Sequence, residues 1–341
     1  MEANRPPNRP LRRLRRLRRS ETIRAMVRET SLTPDKLILP QFVVDGEHRC
    51  ESIEAMPGRS RLSIDETIAE CRKAIDLGVR SFALFPALDP ALKTSDAREA
   101  LNEDNLLCRA VQAIKESCPS ACVVTDIALD PYSDKGHDGL VDEHGVILND
   151  ETVDILAKMA VIHAKAGADM VAPSDMMDGR VAAIRNALDS AGFADTAILS
   201  YTAKYASAFY GPFRDALDSA PVEAPNVPGD KKTYQMDPGN AREAILEAML
   251  DEAEGADILM VKPAMPYLDI IARLRDRTEL PIAAYQVSGE YAMIKAAARN
   301  GWLDESECMV ESLTSIARAG ADIILTYAAL DYATWWQKNR C

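Results

Sequence analysis

Eight short runs of apolar, often β-branched residues recur along the chain, and stretches with helical periodicity lie between them. The runs are 37–44 (LILPQFVV), 81–86, 122–129, 170–175, 197–202, 258–263, 281–287 and 323–328. They predict strands, because four to eight apolar residues between turn signals suit a strand covered on both faces. Amphipathic stretches at 64–77, 150–166, 180–191 and 241–254 predict the intervening helices. Gly-Ala-Asp stands before three of the runs, at 167–169, 255–257 and 320–322, where glycine ends a helix with a positive φ.

Eight strand–helix units predict an α/β fold, a (β/α)8 TIM barrel over residues 36–341 with an extended N-terminal arm over 1–35. An open doubly wound sheet is the alternative, weakened by the absence of a GxGxxG turn before the first helix. Residues 221–239 carry Pro, Gly and Asn with little periodicity and predict a long loop or lid.

Composition narrows the class. The chain of 341 residues is 47% hydrophobic and 27% charged, enough to build a large core. No apolar run reaches the roughly 18 residues of a membrane span, so no membrane role is expected. The arginine-rich start lacks the apolar stretch of a secretory signal. Seven scattered cysteines without a CxxC predict reduced thiols and a cytoplasmic location. The net charge of -13 is unevenly placed: residues 1–30 hold ten Arg, no Lys and three Glu, a net of +7, leaving -20 on the body. The arm's LRRLRRLRR (11–19) forms a basic amphipathic stripe as a helix. It suits nucleic acid, a membrane surface or an acidic protein surface. No aromatics interleave and the body is acidic, so packing on a second copy is favoured over nucleic acid.

In a parallel barrel the chemistry sits at the C-terminal ends of the strands. Polar residues there are Asp126 and Asp130 after strand three, Ser174 and Asp175 after four, Lys204 after five and Lys262 on six. Gln286 and Ser288 follow strand seven, and Tyr327 follows eight. Lys262 stands alone in DILMVKPAMP among apolar neighbours. Burial and a nearby cation lower a lysine's pKa and free its amine to attack a carbonyl. Lys204 sits in the same place one strand earlier. The structural alternative is a snorkelling or aspartate-paired lysine. Arg214, Lys231 and Lys232 offer a clamp for a carboxylate, and Ser288 and Tyr327 offer hydrogen bonds to a second; a solvated basic loop is the plain alternative for the first three, and a structural hydrogen bond for the other two. Cys118 and Cys122 have no second pair and suit a core or surface, and Trp335 and Trp336 suit packing of the last helix.

The motifs AKYASAFYGPFRDA (203–216), MVKPAMPYLDI (260–270), YQVSGEYAM (285–293), APSDMMDGR (172–180) and ILTYAA (324–329) together resemble the porphobilinogen synthase, or 5-aminolaevulinic acid dehydratase, family over nearly the whole chain. The resemblance implies a barrel lyase of tetrapyrrole synthesis that condenses two 5-aminolaevulinate molecules to porphobilinogen with loss of two waters. It implies Schiff bases on Lys262 for the propionate-side substrate and on Lys204 for the acetate-side one. Arg214 and Lys231 would hold the acetate-side carboxylate, Ser288 and Tyr327 the other. Where zinc-dependent members carry three cysteines, this chain has Ala128, Asp130 and Asp138, so no three-cysteine zinc site is expected. Asp126, Asp130 and Asp138 admit either a hard ion or direct contact with the substrate amine. Glu247 matches the family's Mg2+ position at a subunit interface, although Glu243, Glu247 and Asp251 also read as a solvated helix face. The arm is expected to wrap a neighbouring barrel in a homo-octamer. Two other classes fit fewer features: a one-lysine Schiff-base aldolase, and an RNA-binding or scaffold protein that uses the arm.

Overall fold

The computed structural model describes residues 12–339. The chain divides between Ser31 and Leu32. In the first unit a 3-10 turn, Leu14–Arg18, precedes a short helix, Glu21–Met26. The Ser20 hydroxyl caps that helix by accepting from the Ile23 amide at 3.4 Å. Leu14 and Leu17 are exposed, with arginines on either side; Leu11, the first leucine of the stripe, lies outside the described residues. The division falls four residues before the expected boundary. Leu32 is buried, and its carbonyl accepts from the Tyr332 hydroxyl at 2.8 Å, so it belongs to the second unit.

The second unit is a closed barrel of eight parallel strands. They are β1 (Leu37–Val44), β2 (Ser81–Ala87), β3 (Cys122–Ile127) and β4 (Met170–Pro173), then β5 (Ala197–Lys204), β6 (Ile258–Lys262), β7 (Ile282–Gln286) and β8 (Ile323–Thr326). Neighbours in sequence are neighbours in the sheet, and β8 pairs with β1 through Leu37 with Ile324 and Ile38 with Leu325. Every residue of β1 is buried, as expected where helices cover one face and barrel interior the other. All eight apolar runs became strands, with ends shifted by up to two residues. Two antiparallel hairpins decorate the barrel: Cys50–Ser52 with Ser60–Leu62 after β1, and Leu140–Val141 with Ile147–Leu148 after β3.

The helices follow the amphipathic pattern. In α1 (Ile64–Asp76) the buried positions are Thr67, Cys71 and Ala74, one turn apart. Next come α2 (Leu106–Ser117), α3 (Asn149–Ala166) and α4 (Arg180–Ser190). A seven-residue helix, α5 (Gly211–Leu217), lies in the connection after β5, followed by irregular chain and then α6 (Arg242–Glu254). The circuit ends with α7 (Leu268–Arg275), α8 (Ser288–Arg299), α9 (Glu305–Ala319) and α10 (Ala329–Lys338). Trp335 and Trp336 of α10 pack against the core.

The three Gly-Ala-Asp glycines end α3, α6 and α9 with φ of 107°, 104° and 122°. An added Cβ at Gly167 meets only ordinary contacts, the nearest at 3.5 Å, whereas at Gly320 it would lie 2.9 Å from Arg275 Cβ. Gly167→Ala is therefore expected to lose about 1–2 kcal/mol of stability from backbone strain alone, and Gly320→Ala more. Denaturant midpoints compare the two; equal losses would contradict the packing argument.

Candidate active site

Strands β5 and β6 end on lysines that are direct register partners, Lys204 and Lys262. In parallel neighbours, paired residues project to the same face. A bulge makes this so. Between one pair (Ser200 and Leu259) and the next (Ala203 and Val261), β5 advances three residues and β6 two. The extra residue inverts the alternation of β5, so Tyr201 and Lys204 both face the barrel interior.

Lys262 is 6% exposed and its amine sits in an aromatic box. The Nζ lies 4.7 Å from the Tyr285 ring centre, 4.9 Å from Tyr201, 5.1 Å from Phe213 and 5.3 Å from Tyr210. Burial first, and then the Lys204 charge, push the Lys262 pKa down to about 7, against the pull of Asp126, Asp138 and Asp130. The Lys204 amine has different company. It donates to the Ser174 carbonyl and lies 3.5 Å from Asp138 Oδ2.

The loop after β3 supplies the carboxylates. Asp138 Oδ1 accepts from Lys231 at 3.1 Å, and Asp130 Oδ2 lies 3.5 Å from the same amine. Burial opposes the Asp138 charge, but Lys204 and Lys231 outweigh it and hold the carboxyl below the usual range. Burial likewise opposes the Lys231 charge, and Asp130 and Asp138 outweigh it and raise its pKa. Asp126 has no such partner on Oδ1. Burial and then Asp130 push its carboxyl well up, against Lys204 and Lys262.

This loop is stitched to the segment after α5. The His137 ring bridges the Tyr234 hydroxyl at 2.9 Å and the Pro228 carbonyl at 2.8 Å. The Val222 amide donates to the Lys135 carbonyl at 3.2 Å. Gly136 has φ 69°, and a Cβ there would lie 2.1 Å from the Ala220 carbonyl oxygen, so only glycine permits the approach. The segment predicted as a lid thus lies closed over the carboxylates, and Lys231 reaches in beneath it.

The remaining anchors cluster on the Lys262 side. Ser288, the first residue of α8, accepts from the Phe213 amide at 3.0 Å and donates to the Phe209 carbonyl at 3.4 Å. The Tyr327 hydroxyl pairs with that of Tyr285 at 2.8 Å, and its ring stacks on Phe42. Arg214 on α5 is half-buried, its guanidinium 6.0 Å from the Tyr210 ring. Lys232 stays at the surface with Asp230. Glu247 lies apart from the barrel mouth, in a cleft of about 420 Å³ that Asn149, Asp178, Asp237 and Glu243 also line. Burial raises its pKa.

Three features escaped the sequence reading. The aromatic box is assembled from β5, the 3-10 turn Ala208–Tyr210, α5 and β7, with no local signal. Glu290, 1% exposed, accepts from the Met265 and Val287 amides at 2.6 Å each and from Ala264 at 3.4 Å. It thereby ties the chain just after Lys262 to the chain just before Ser288. A glutamate three residues into a helix after a strand is the half capping box that would have flagged it. Third, Asp251 is not on a solvated face as its spacing from Glu243 and Glu247 suggested. It is 1% exposed and ion-paired with Arg180 at 2.6 Å.

Residues 11–335 match the family model described as Delta-aminolevulinic acid dehydratase. The chain belongs to the delta-aminolevulinic acid dehydratase family. A chloroplastic enzyme of that name from Physcomitrium patens is 59% identical over 318 residues, covering 93% of this chain and 72% of its own. The one from Bradyrhizobium diazoefficiens is 55% identical, covering 91% and 87%. The crystal structure of the enzyme from Toxoplasma gondii, in complex with the reaction product porphobilinogen, superposes with a TM-score of 0.94 at 52% identity, covering 97% of this chain and 93% of that one. The relatives from Physcomitrium, Selaginella martensii, Chlamydomonas reinhardtii and Hordeum vulgare are all named chloroplastic. These names overturn the cytoplasmic expectation. Scattered thiols mark a reducing compartment, and the cytoplasm is only one of those.

Proposed function

We infer that this chain is a lyase of porphyrin biosynthesis that condenses two 5-aminolaevulinate molecules to porphobilinogen, releasing two waters. The observation that carries the reading is the pair of buried amines at register-matched strand ends, with Lys262 in an aromatic box. The neutral Lys262 amine attacks the ketone of the propionate-side substrate, and loss of water gives an imine. That imine is an electron sink and acidifies the adjacent carbon for C–C bond formation. Lys204 does the same for the acetate-side substrate. Asp126 exchanges the protons, because its carboxyl is poised well above the usual range. Arg214 and Lys231 take the acetate-side carboxylate, and Ser288 and Tyr327 the propionate-side one. Each incoming carboxylate displaces a present partner: Asp138 and Asp130 on Lys231, and the Phe209 carbonyl to which the Ser288 hydroxyl donates.

The donor set favours magnesium over thiolate-bound zinc. No thiol stands at Ala128, Asp130 or Asp138, and the last two carboxylates are engaged by Lys231 and Lys204. Glu247 offers hard oxygen in a cleft that other carboxylates share, and Mg2+ there would keep most of its waters. Bound, it would stabilise a subunit interface. The basic arm is the proposed tie between subunits of a homo-octamer, its +7 facing the -20 of a neighbouring body.

Three experiments test these statements. Borohydride with 5-aminolaevulinate is expected to trap mass on the Lys262 peptide, at a rate that rises with pH through about 7 as the amine loses its proton. Near-normal porphobilinogen production by Lys262→Ala would refute the mechanism. After EDTA treatment, Mg2+ is expected to restore activity and assembly, zinc to have little effect, and Glu247→Gln to abolish the magnesium response. A magnesium response unchanged in Glu247→Gln removes that assignment. Deletion of residues 1–30 is expected to dissociate the octamer in sedimentation runs and leave RNA binding unchanged; loss of a salt-dependent RNA affinity would instead support a nucleic-acid role for the arm.

A further inference from the structure

The bulge that turns Lys204 inward is gripped from outside the barrel. Asp251 of α6 and Arg180 of α4 are 1% and 2% exposed. Asp251 Oδ2 accepts from the Ser200 hydroxyl at 2.6 Å and from the Thr202 hydroxyl at 2.8 Å. Arg180 donates to Asp251 Oδ1 at 2.6 Å and Oδ2 at 3.2 Å, to the Ser200 hydroxyl at 3.2 Å and to the Tyr201 carbonyl at 3.4 Å. Ser200, Tyr201 and Thr202 are the residues over which β5 gains its extra position against β6. The contacts therefore converge on the irregularity and not on the strand at large.

A buried ion pair is a poor source of stability, since desolvation offsets much of the attraction. Well-packed apolar residues would hold α4 and α6 on the barrel as well. What they would not do is pin Thr202 outward directly before Ala203, whose pairing with Val261 turns it outward as well, or take up the Tyr201 carbonyl inside the irregularity. In a regular pleat, with Ser200 and Thr202 outward, position 204 would point outward too.

The geometry points to Arg180 and Asp251 as positioning residues for Lys204. They lock the β5 bulge through Ser200, Tyr201 and Thr202 and thereby aim the Lys204 amine into the barrel beside Lys262. This rests on the proposed role of Lys204. It adds a requirement that none of the lysines, carboxylates or anchors in the barrel mouth meets. The ion pair acts through backbone direction and touches neither substrate nor reacting atom. Lys262 lies on β6, which carries none of these contacts, so the two lysines should respond differently when the clamp is weakened.

The test uses the full-length enzyme with Thr202→Val, which keeps the shape and removes one hydroxyl, and the double variant Ser200→Ala/Thr202→Val. Thr202→Ser, which restores the hydroxyl, is the rescue. The readouts are kcat and KM for porphobilinogen formation, the borohydride-trapped adducts on the Lys204 and Lys262 peptides, and the thermal midpoint. Thr202→Val is expected to lower kcat at least tenfold and the Lys204 adduct in proportion. The Lys262 adduct should stay within about twofold, and Thr202→Ser should return kcat to within about threefold of the parent. If the double variant fails to fold, Thr202→Val and Thr202→Ser decide alone. Unchanged kcat in Thr202→Val overturns the proposal, and so does a parallel fall of both adducts, which marks a general structural role. Lys204→Ala separates the two levels: full activity there would refute the catalytic reading of Lys204, whatever the clamp variants do.

Discussion

Two amines of like charge buried on adjacent strand ends are the constraint around which this molecule is arranged. Neither is stable as an isolated cation in a dry barrel. The structure resolves the conflict asymmetrically. Lys204 keeps polar company in Asp138 and the Ser174 carbonyl, while Lys262 is surrounded by rings and is left with a depressed pKa. One strand position thus holds an amine among carboxylates and the next holds one that readily gives up its proton. That division of environments between two chemically identical side chains is what a condensation of two identical substrates needs.

The carboxylates that balance the amines come from a single loop, and that loop is also the seat of the lid. His137 and Gly136 join it to the segment 218–236, and Lys231 of that segment completes the charge balance with Asp130 and Asp138. Closure and electrostatics are therefore one event. Lys231, reaching in from that segment, holds Asp138 ionised together with Lys204. On the other side of the mouth, Ser288 holds the root of α5 through Phe209 and Phe213, and Phe213 is a wall of the Lys262 box. Both halves of the site are tied to the same connection after β5.

Behind the barrel wall the same economy recurs. Glu290 fixes the exits of β6 and β7 by accepting three amides, and Asp251 with Arg180 fixes the bulge of β5. Glu247 lies one turn before Asp251 on α6, so the proposed magnesium cleft shares a helix with the clamp on Lys204.

The eight strands and the glycine helix ends were legible in the sequence because both are local. A strand buried on both faces must be an apolar run, and a left-handed helix end selects glycine. Lys262 was legible for the converse reason: a charge in such a run contradicts its surroundings. Lys204 and the anchors drew attention by lying just past strand ends, and the long motifs set them in a family. The rest depended on contacts between residues far apart in the chain. Asp251 carries the spacing of a solvated helix face, and only the docking of α6 against β5 and α4 buries it. Lys231 reads as one cation of a basic loop until the lid folds it onto aspartates about a hundred positions earlier. The bulge has no local signature at all: Ser-Tyr-Thr-Ala-Lys is an ordinary strand sequence, whose regular pleat would have turned Lys204 away from Lys262. Its direction was decided by register against β6 and by the ion pair behind it, which exist only once the barrel has closed.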